Sequence, residues 1–273
     1  MPGIERSGRR PIVLIRWWLT YSILGLCVGF LVDMTGVGGG SLMTPALVLF
    51  FGIHPATAVG TDLLFAGLTK SVGTGVHGLH GSVNWRIVAL LSSGSIPMAI
   101  ATLLLLHWIG PQDAAVSRTI CWVMGVALLA TAASLYLRGL IAAPRPAADP
   151  ATDRYRQVVP TIGCDVALGL LVTISSVGAG SMGIVALHFL FPILPTRTLV
   201  GSDVAHAVPL TLVAGSGYWL VDAVDWAMQA WLMAGSLPGV LLGSTFAPRV
   251  NQRILRPILA AIRVLIGVRL LVT

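Results

Sequence analysis

The sequence predicts an all-α integral membrane protein with two repeats of about four transmembrane segments each, the first segment of each repeat being broken at a glycine-rich stretch. Three observations predict this fold class: an apolar composition, apolar segments of membrane-spanning length, and motifs that recur in the same order. Only 10% of the 273 residues are charged and 56% are hydrophobic, whereas about 25% of residues are charged in an ordinary soluble domain. A soluble fold of this length could not bury so much apolar surface.

Several apolar stretches have the length of a membrane-spanning helix, which takes about 20 residues. Hydropathy marks spans near residues 86–109, 117–140, 227–247 and 254–272. Residues 56–80 and 197–221 are as long but carry glycine, hydroxyl and ionisable side chains. We expect these two spans to face protein or water rather than lipid.

Two further stretches are interrupted by glycine. As one helix, residues 17–52 would be about 54 Å long, far beyond the hydrocarbon core. Cut at the glycines, they form the pieces 17–33 and 41–52, and the matching pieces are roughly 159–174 and 181–194. If each pair crosses the membrane once, the repeats are parallel; if each pair forms a re-entrant hairpin, they are inverted. Geometry favours hairpins and the N-terminal arginines oppose them, so both arrangements stay open here.

The two halves of the chain carry the same motifs in the same order. The paired copies are GVGGGSL at 36–42 with SVGAGSM at 176–182, Gly60-Thr61-Asp62 with Gly201-Ser202-Asp203, Asn84-Trp85 with Asp225-Trp226, and GSIP at 94–97 with GSLP at 235–238. These matches predict a first transmembrane repeat at residues 17–140, a linker at 141–158 and a second repeat at 159–272. The linker is rich in proline and charge, so we expect a solvent-exposed loop.

The chemistry is expected at the helix breaks. Non-helical backbone inside a membrane is tolerated only against protein or an aqueous cavity, so two breaks imply an internal cavity. The free N–H groups at the start of a half-helix favour an anion, and glycine lets the anion approach the backbone. The candidate substrate-binding residues are Gly38, Gly39, Gly40, Ser41, Thr61, Gly178, Gly180, Ser181 and Ser202. The alternative is that these glycines serve close helix packing.

Three ionisable residues inside predicted spans are candidates for coupling transport to an ion. Asp62 and Asp203 occupy matching positions, and a carboxylate at such depth costs about 3 kcal/mol by insertion scales. A carboxylate beside an anion site would repel the anion unless protonated, which suggests proton linkage. Lys70, the only lysine, would serve as counter-charge to an anion or as partner of Asp62. The alternatives are backbone capping by the acids and snorkelling by the lysine.

Other function classes find little support. The formal charge of +7 is explained by arginines near loops and headgroups, and the absence of a basic stripe argues against nucleic-acid binding. Cys27, Cys121 and Cys164 lack metal-binding or disulfide spacing, so neither a metal nor a cofactor is expected. No Walker motif is present, so ATP hydrolysis is not expected. The competing class is an intramembrane aspartyl hydrolase that uses Asp62 and Asp203.

Together, the GVGGGS break followed by Pro45, the Gly60-Thr61-Asp62 and Asn84-Trp85 motifs, Ser95-x-Pro97 and their weaker second copies resemble the sulfite exporter TauE/SafE family of membrane permeases. The resemblance covers residues 17–272, and the second copy departs from it at Ser176, Ala179 and Met182. It implies a multi-pass secondary transporter of the cell membrane rather than an enzyme. The implied partners are the lipid bilayer and a small sulfur-containing anion such as sulfite or an organosulfonate.

Overall fold

The described part of the protein is entirely helical. The computed structural model describes residues 11–35, 40–79, 81–141, 158–178, 180–192, 194–246 and 252–272. Within these ranges the chain forms ten α-helices and no strand. They are α1 (Pro11–Thr35), α2 (Gly40–Phe51), α3 (Pro55–Leu79), α4 (Trp85–Ile109), α5 (Ala114–Ile141), α6 (Val158–Ser175), α7 (Ser181–Leu190), α8 (Thr196–Leu220), α9 (Trp226–Phe246) and α10 (Gln252–Val272). Most of the predicted linker lies outside the described residues.

Four helices in the described ranges are long and apolar enough to cross a membrane. They are α4, residues 114–135 of α5, α6 and α8. The prediction of an all-α integral membrane protein is therefore confirmed. The helix α1 begins at Pro11 rather than near residue 17, in keeping with the preference of proline for the first helical position.

The Asn84-Trp85 and Asp225-Trp226 motifs are helix starts. The Asn84 Oδ1 atom accepts hydrogen bonds from the backbone N–H groups of Arg86 (3.2 Å) and Ile87 (3.4 Å). The Asp225 Oδ1 atom accepts from the N–H of Met228 at 2.9 Å. Each side chain thus satisfies N–H groups that the first turn of a helix leaves without partners.

The loop between α2 and α3 is fixed to α5 through His54. Its Nε2 atom lies 2.8 Å from the Ser117 Oγ atom. Partial burial lowers the pKa of the His54 imidazole, so the neutral ring can accept a hydrogen bond from the Ser117 hydroxyl.

Helices from the two halves of the sequence pack extensively against each other. The pairs are α1 with α9, α4 with α6, α3 with α8, and α5 with α10. Residue numbers on α3 rise as those on α8 fall, since Gly60 contacts Tyr218 and Gly67 contacts Leu212. The helices α3 and α8 are therefore antiparallel.

The helices α1 and α9 run in the same direction. Gly25 contacts Leu232 and Gly29 contacts Ser236, so residue numbers rise together along both helices. A Cβ atom at Gly29 would lie 2.8 Å from the Ser236 carbonyl oxygen. The face of α1 that carries these glycines therefore packs directly against the backbone of α9, an arrangement that is common between membrane helices.

The Gly-Thr-Asp and Gly-Ser-Asp motifs hold the start of one helix against the start of another. A Cβ atom at Gly201 would lie 2.5 Å from the Ser82 carbonyl oxygen, and the Ser202 Oγ atom accepts a hydrogen bond from the Asn84 N–H at 2.9 Å. At the matching place, Gly60 meets the Ala223 carbonyl, and the Thr61 Oγ1 atom accepts from the Asp225 N–H at 3.2 Å. The glycine permits the approach, and the hydroxyl pairs a buried N–H group.

These contacts predict that Gly201→Ala destabilises the protein. The new methyl group would overlap the Ser82 carbonyl, and overpacking of this kind costs about 1 to 3 kcal/mol. Gly163→Ala is the matched control, because the added Cβ position on α6 has no atom within 4 Å outside the adjacent residues and the backbone of its own helix. Thermal unfolding in detergent, followed by tryptophan fluorescence, should give a lower Tm for Gly201→Ala alone. Equal Tm values for both variants would contradict the account.

Candidate functional site

The backbone between α6 and α7 leaves helical geometry at three described residues. The φ angles are 56° at Ser176, 117° at Gly178 and 109° at Gly180. Positive φ is readily adopted by glycine and is uncommon for serine. Gly180 occupies the N-cap position of α7 and no side chain caps this end. The Met182 N–H group in the first turn donates to the Gly178 carbonyl at 3.2 Å, and the positive end of the helix dipole faces this segment.

A small cavity adjoins this segment. It offers about 20 Å³ to the centre of a water molecule, which is room for about one water. Its polar lining comes from Asp165, Asp203 and His206, and the backbone of Gly178 and Gly183 borders it. Two of the predicted site residues, Gly178 and Asp203, are thus brought together.

The position of the Asp203 carboxyl depends on Gly183. The side chain of Asp203 is 3% exposed. A Cβ atom at Gly183 would collide with Asp203 Oδ1. The absence of a side chain on α7 therefore makes room for the acid that α8 presents.

Asp62 is buried between α2, α3 and the α6–α7 segment. It is fully buried, and its Oδ2 atom accepts a hydrogen bond of 2.5 Å from the Thr44 hydroxyl. The Ser176 side chain lies near the same carboxyl group without meeting hydrogen-bond geometry. In the described ranges no donor bonds Oδ1. An acid from the first half of the sequence therefore lies beside the helix break of the second half.

Lys70 interacts with both predicted acids. Its ammonium group has electrostatic interactions with Asp203 and with Asp62, the first being the stronger. The sequence suggested Asp62 alone as partner. Asp203 is added because α3 packs along α8.

The remaining predicted substrate-binding residues fall into three groups. Thr61 and Ser202 are fully buried, with their oxygen atoms accepting the backbone hydrogen bonds described above. Ser181 is buried at the start of α7 and Gly40 begins α2. The Ser41 side chain, Gly38 and Gly39 lie outside the described residues.

Sequence reasoning missed a buried cluster of Ser95, Asp165 and His206. The His206 Nε2 atom lies 2.8 Å from Ser95 Oγ and 3.1 Å from Asp165 Oδ2. Asp165 and His206 are 1% and 5% exposed. Asp165 could have been identified from the sequence, because an ionisable residue inside an apolar span is a signal of a functional site. At the spacing of the duplicated motifs, Asp165 corresponds to Gly25 and His206 to Phe65, so a search for repeated residues passes over both.

The described residues give no support for metal binding. The parts of the chain that the structure describes contain no cluster of three or more histidine, cysteine or acidic residues able to hold a metal ion. The three cysteines are free thiols.

Comparisons with known proteins identify this chain as a relative of membrane transporters. A sequence model of the sulfite exporter TauE/SafE family matches residues 21–270. The probable membrane transporter protein YjnA of Bacillus subtilis strain 168 is 34% identical over 253 residues, which cover 91% of this chain and 98% of that protein. A probable membrane transporter protein of Xylella fastidiosa strain Temecula1 is 27% identical over 237 residues, covering 83% of this chain and 84% of that protein. No solved structure matches the chain significantly. The chain belongs to the sulfite exporter TauE/SafE family.

Proposed function

We propose that this protein is a multi-pass secondary transporter of the cell membrane that moves small sulfur-containing anions, such as sulfite or organosulfonates, together with protons. The observation that carries the proposal is a water-sized cavity between α6, α7 and α8, which Gly178 and the buried Asp203 both border and which would widen to admit an anion. The family match and the transporter names of the relatives support the same activity.

The anion binds, in this proposal, at the start of α7. The positive end of the helix dipole favours an oxyanion there, and a bound anion would replace the Gly178 carbonyl as the acceptor of the Met182 N–H group. Gly178 and Gly180 let the anion reach the backbone, and Ser181 donates its hydroxyl. Gly38, Gly39, Gly40 and Ser41 play the corresponding part at the start of α2. Thr61 and Ser202 each accept a hydrogen bond through oxygen and retain an O–H donor for the substrate.

The transporter consists, we propose, of two inverted repeats at residues 17–140 and 159–272, each opening with a broken helix. When the two repeats are exchanged, α1 takes the place of α6 and α9 takes the place of α4, so the α1–α9 pair becomes the α6–α4 pair. The same exchange leaves the α3–α8 pair unchanged. The contacts of Gly60 with Ala223 and of Gly201 with Ser82 exchange in the same way. Since α3 and α8 are antiparallel, a two-fold axis relating them lies across the helices rather than along them. This supports the hairpin alternative, with the axis in the membrane plane.

The acids suit a proton-coupled cycle. Asp62 and Asp203 lie in the second turns of two antiparallel helices, so they belong toward opposite faces of the membrane. Lys70 interacts with both and can neutralise only one of them at a time. The other carboxylate favours a bound proton whenever an anion approaches, because like charges repel strongly in a low dielectric.

The hydrolase alternative gains no support from this arrangement. An aspartyl dyad needs two carboxyl groups sharing one proton at close range. The antiparallel packing of α3 and α8 separates the second turns that carry Asp62 and Asp203. A transporter explains both acids without requiring them to meet.

The proposed function predicts proton-linked flux of sulfur anions. Purified protein in liposomes should move labelled sulfite or methanesulfonate when a pH step is imposed, and a pyranine signal should report accompanying proton movement. Protein-free liposomes control for leakage. Equal flux with and without the protein for both anions would exclude this substrate class.

The proposed site also predicts that Gly183→Ala impairs transport without unfolding the protein. The methyl group would displace the Asp203 carboxyl from the cavity, and a displacement of about 1 Å at a reacting group can cost about 100-fold in rate. We expect sulfite flux to fall by about tenfold or more, as the acid can partly adjust. Gly163→Ala should transport normally. Parental flux in folded Gly183→Ala protein would remove Asp203 from the mechanism.

A further inference from the structure

We propose that Asp165 and His206 form a second proton-binding site, which exchanges protons with Asp203 through the cavity beside the α6–α7 segment. This inference rests on the proposed transport function for its physiological role. The site itself follows from a buried histidine, a buried carboxylate and a water-sized space that both of them line.

The contacts of His206 assign its protons. Nε2 faces the oxygen atoms of both Asp165 and Ser95, at 3.1 Å and 2.8 Å. A hydrogen on Nε2 can be donated to Ser95 Oγ, which is the contact with hydrogen-bond geometry, whereas a bare lone pair there would oppose the nearby carboxylate. The Ser95 hydroxyl can meanwhile donate to the Leu91 carbonyl at 3.1 Å. The partners therefore hold the neutral ring in the Nε2–H form and leave Nδ1 as the atom that gains a proton.

Proton uptake converts a charged pair into a neutral one. With a neutral ring the Asp165–His206 pair carries the charge of the carboxylate, and with a protonated ring the imidazolium balances it. Uptake forms an N–H bond at Nδ1 and breaks an O–H bond in the donor, which is a cavity water or protonated Asp203. Release reverses both changes. Histidine is suited to this exchange because its proton equilibrium lies within about pH 5 to pH 8.

The cavity supplies the connection between the two sites. Asp165, Asp203 and His206 all border it, and it accommodates about one water. Although Asp165 is 1% exposed, neither of its carboxylate oxygen atoms accepts a hydrogen bond in the described residues, and its contact with His206 is made by Oδ2 rather than Oδ1. A water in the cavity would satisfy Oδ1 and link it to Asp203.

The charges around His206 favour proton uptake when an anion is present. The helix α6 presents Asp165 and Cys164, and α8 itself presents Asp203. From α3, Lys70 interacts with Asp203 and with Asp62, while the contacts from α4 and α7 are Ser95 and Gly183, which do not titrate. Asp165 and Asp203 border the same cavity as His206, and Lys70 is the cation that interacts with Asp203, so an added anion raises the electrostatic benefit of a protonated His206. By linkage, a protonated His206 strengthens anion binding equally.

The test combines a substrate-free measurement with transport. Protein labelled with ¹⁵N-histidine is titrated from about pH 5 to about pH 8, and the His206 signal is identified by its loss in His206→Gln. We expect Nδ1 of His206 to titrate, with a smaller protonated fraction in Asp165→Asn because the carboxylate charge is gone. A His206 signal that does not titrate in this range would overturn the proposal.

Transport in liposomes provides the second measurement. The probes are labelled sulfite for the anion and entrapped pyranine for protons. We expect His206→Gln to move about one proton fewer per sulfite than the parent, because one exchangeable site is lost. His107→Gln is the matched control, since His107 is an exposed histidine in the last turn of α4. An unchanged proton-to-sulfite ratio in His206→Gln would contradict the coupling role.

The two proposals fail in different ways. If the parent moves neither sulfite nor methanesulfonate but His206 titrates and depends on Asp165, the substrate class is wrong and the proton site stands. If the parent transports sulfite with protons but His206 does not titrate, the transport function stands and the second proton site is rejected.

Discussion

A backbone that leaves helical geometry inside a membrane must find partners for its N–H and C=O groups within the protein, and the site depends on this constraint. At Ser176, Gly178 and Gly180 the chain departs from the helix, so protein or a polar space must surround it. Tyr218 shows how neighbours contribute: its hydroxyl donates to the Thr173 carbonyl at 3.1 Å near the end of α6. The water-sized cavity and the buried Asp203 lie beside this segment.

Burying charge is the second constraint, and it explains why the acids occur with particular neighbours. Asp62 has the Thr44 hydroxyl, Asp203 interacts with Lys70, and Asp165 lies against His206. Each partner reduces the cost of a carboxylate away from water. Among the described contacts of these acids, Lys70 and His206 are the side chains that can carry positive charge.

Much of the fold could be predicted from the sequence because apolar length and helix-start signals are local. The predicted spans 86–109 and 197–221 agree with Trp85–Ile109 and Thr196–Leu220 within one residue at each end. The role of the Gly-Ser-Asp motif was harder to predict. Ser202 pairs with the N–H of Asn84, and that contact exists only once α8 packs near the start of α4. The same limit applies to Lys70 and Asp203, whose interaction requires α3 and α8 to pack together. Asp165 and His206 escaped notice because neither has a counterpart in the first half.

The central claim is that an oxyanion binds at the start of α7, and the most direct measurement is to locate a bound anion there. Selenite has the shape and charge of sulfite, and its selenium atom scatters anomalously. A crystal structure of the protein grown with selenite should show an anomalous peak beside Gly178 and within hydrogen-bonding distance of the first N–H groups of α7. Excess sulfite should remove the peak. A sulfite-displaceable peak elsewhere in the protein, with none at the start of α7, would contradict the account.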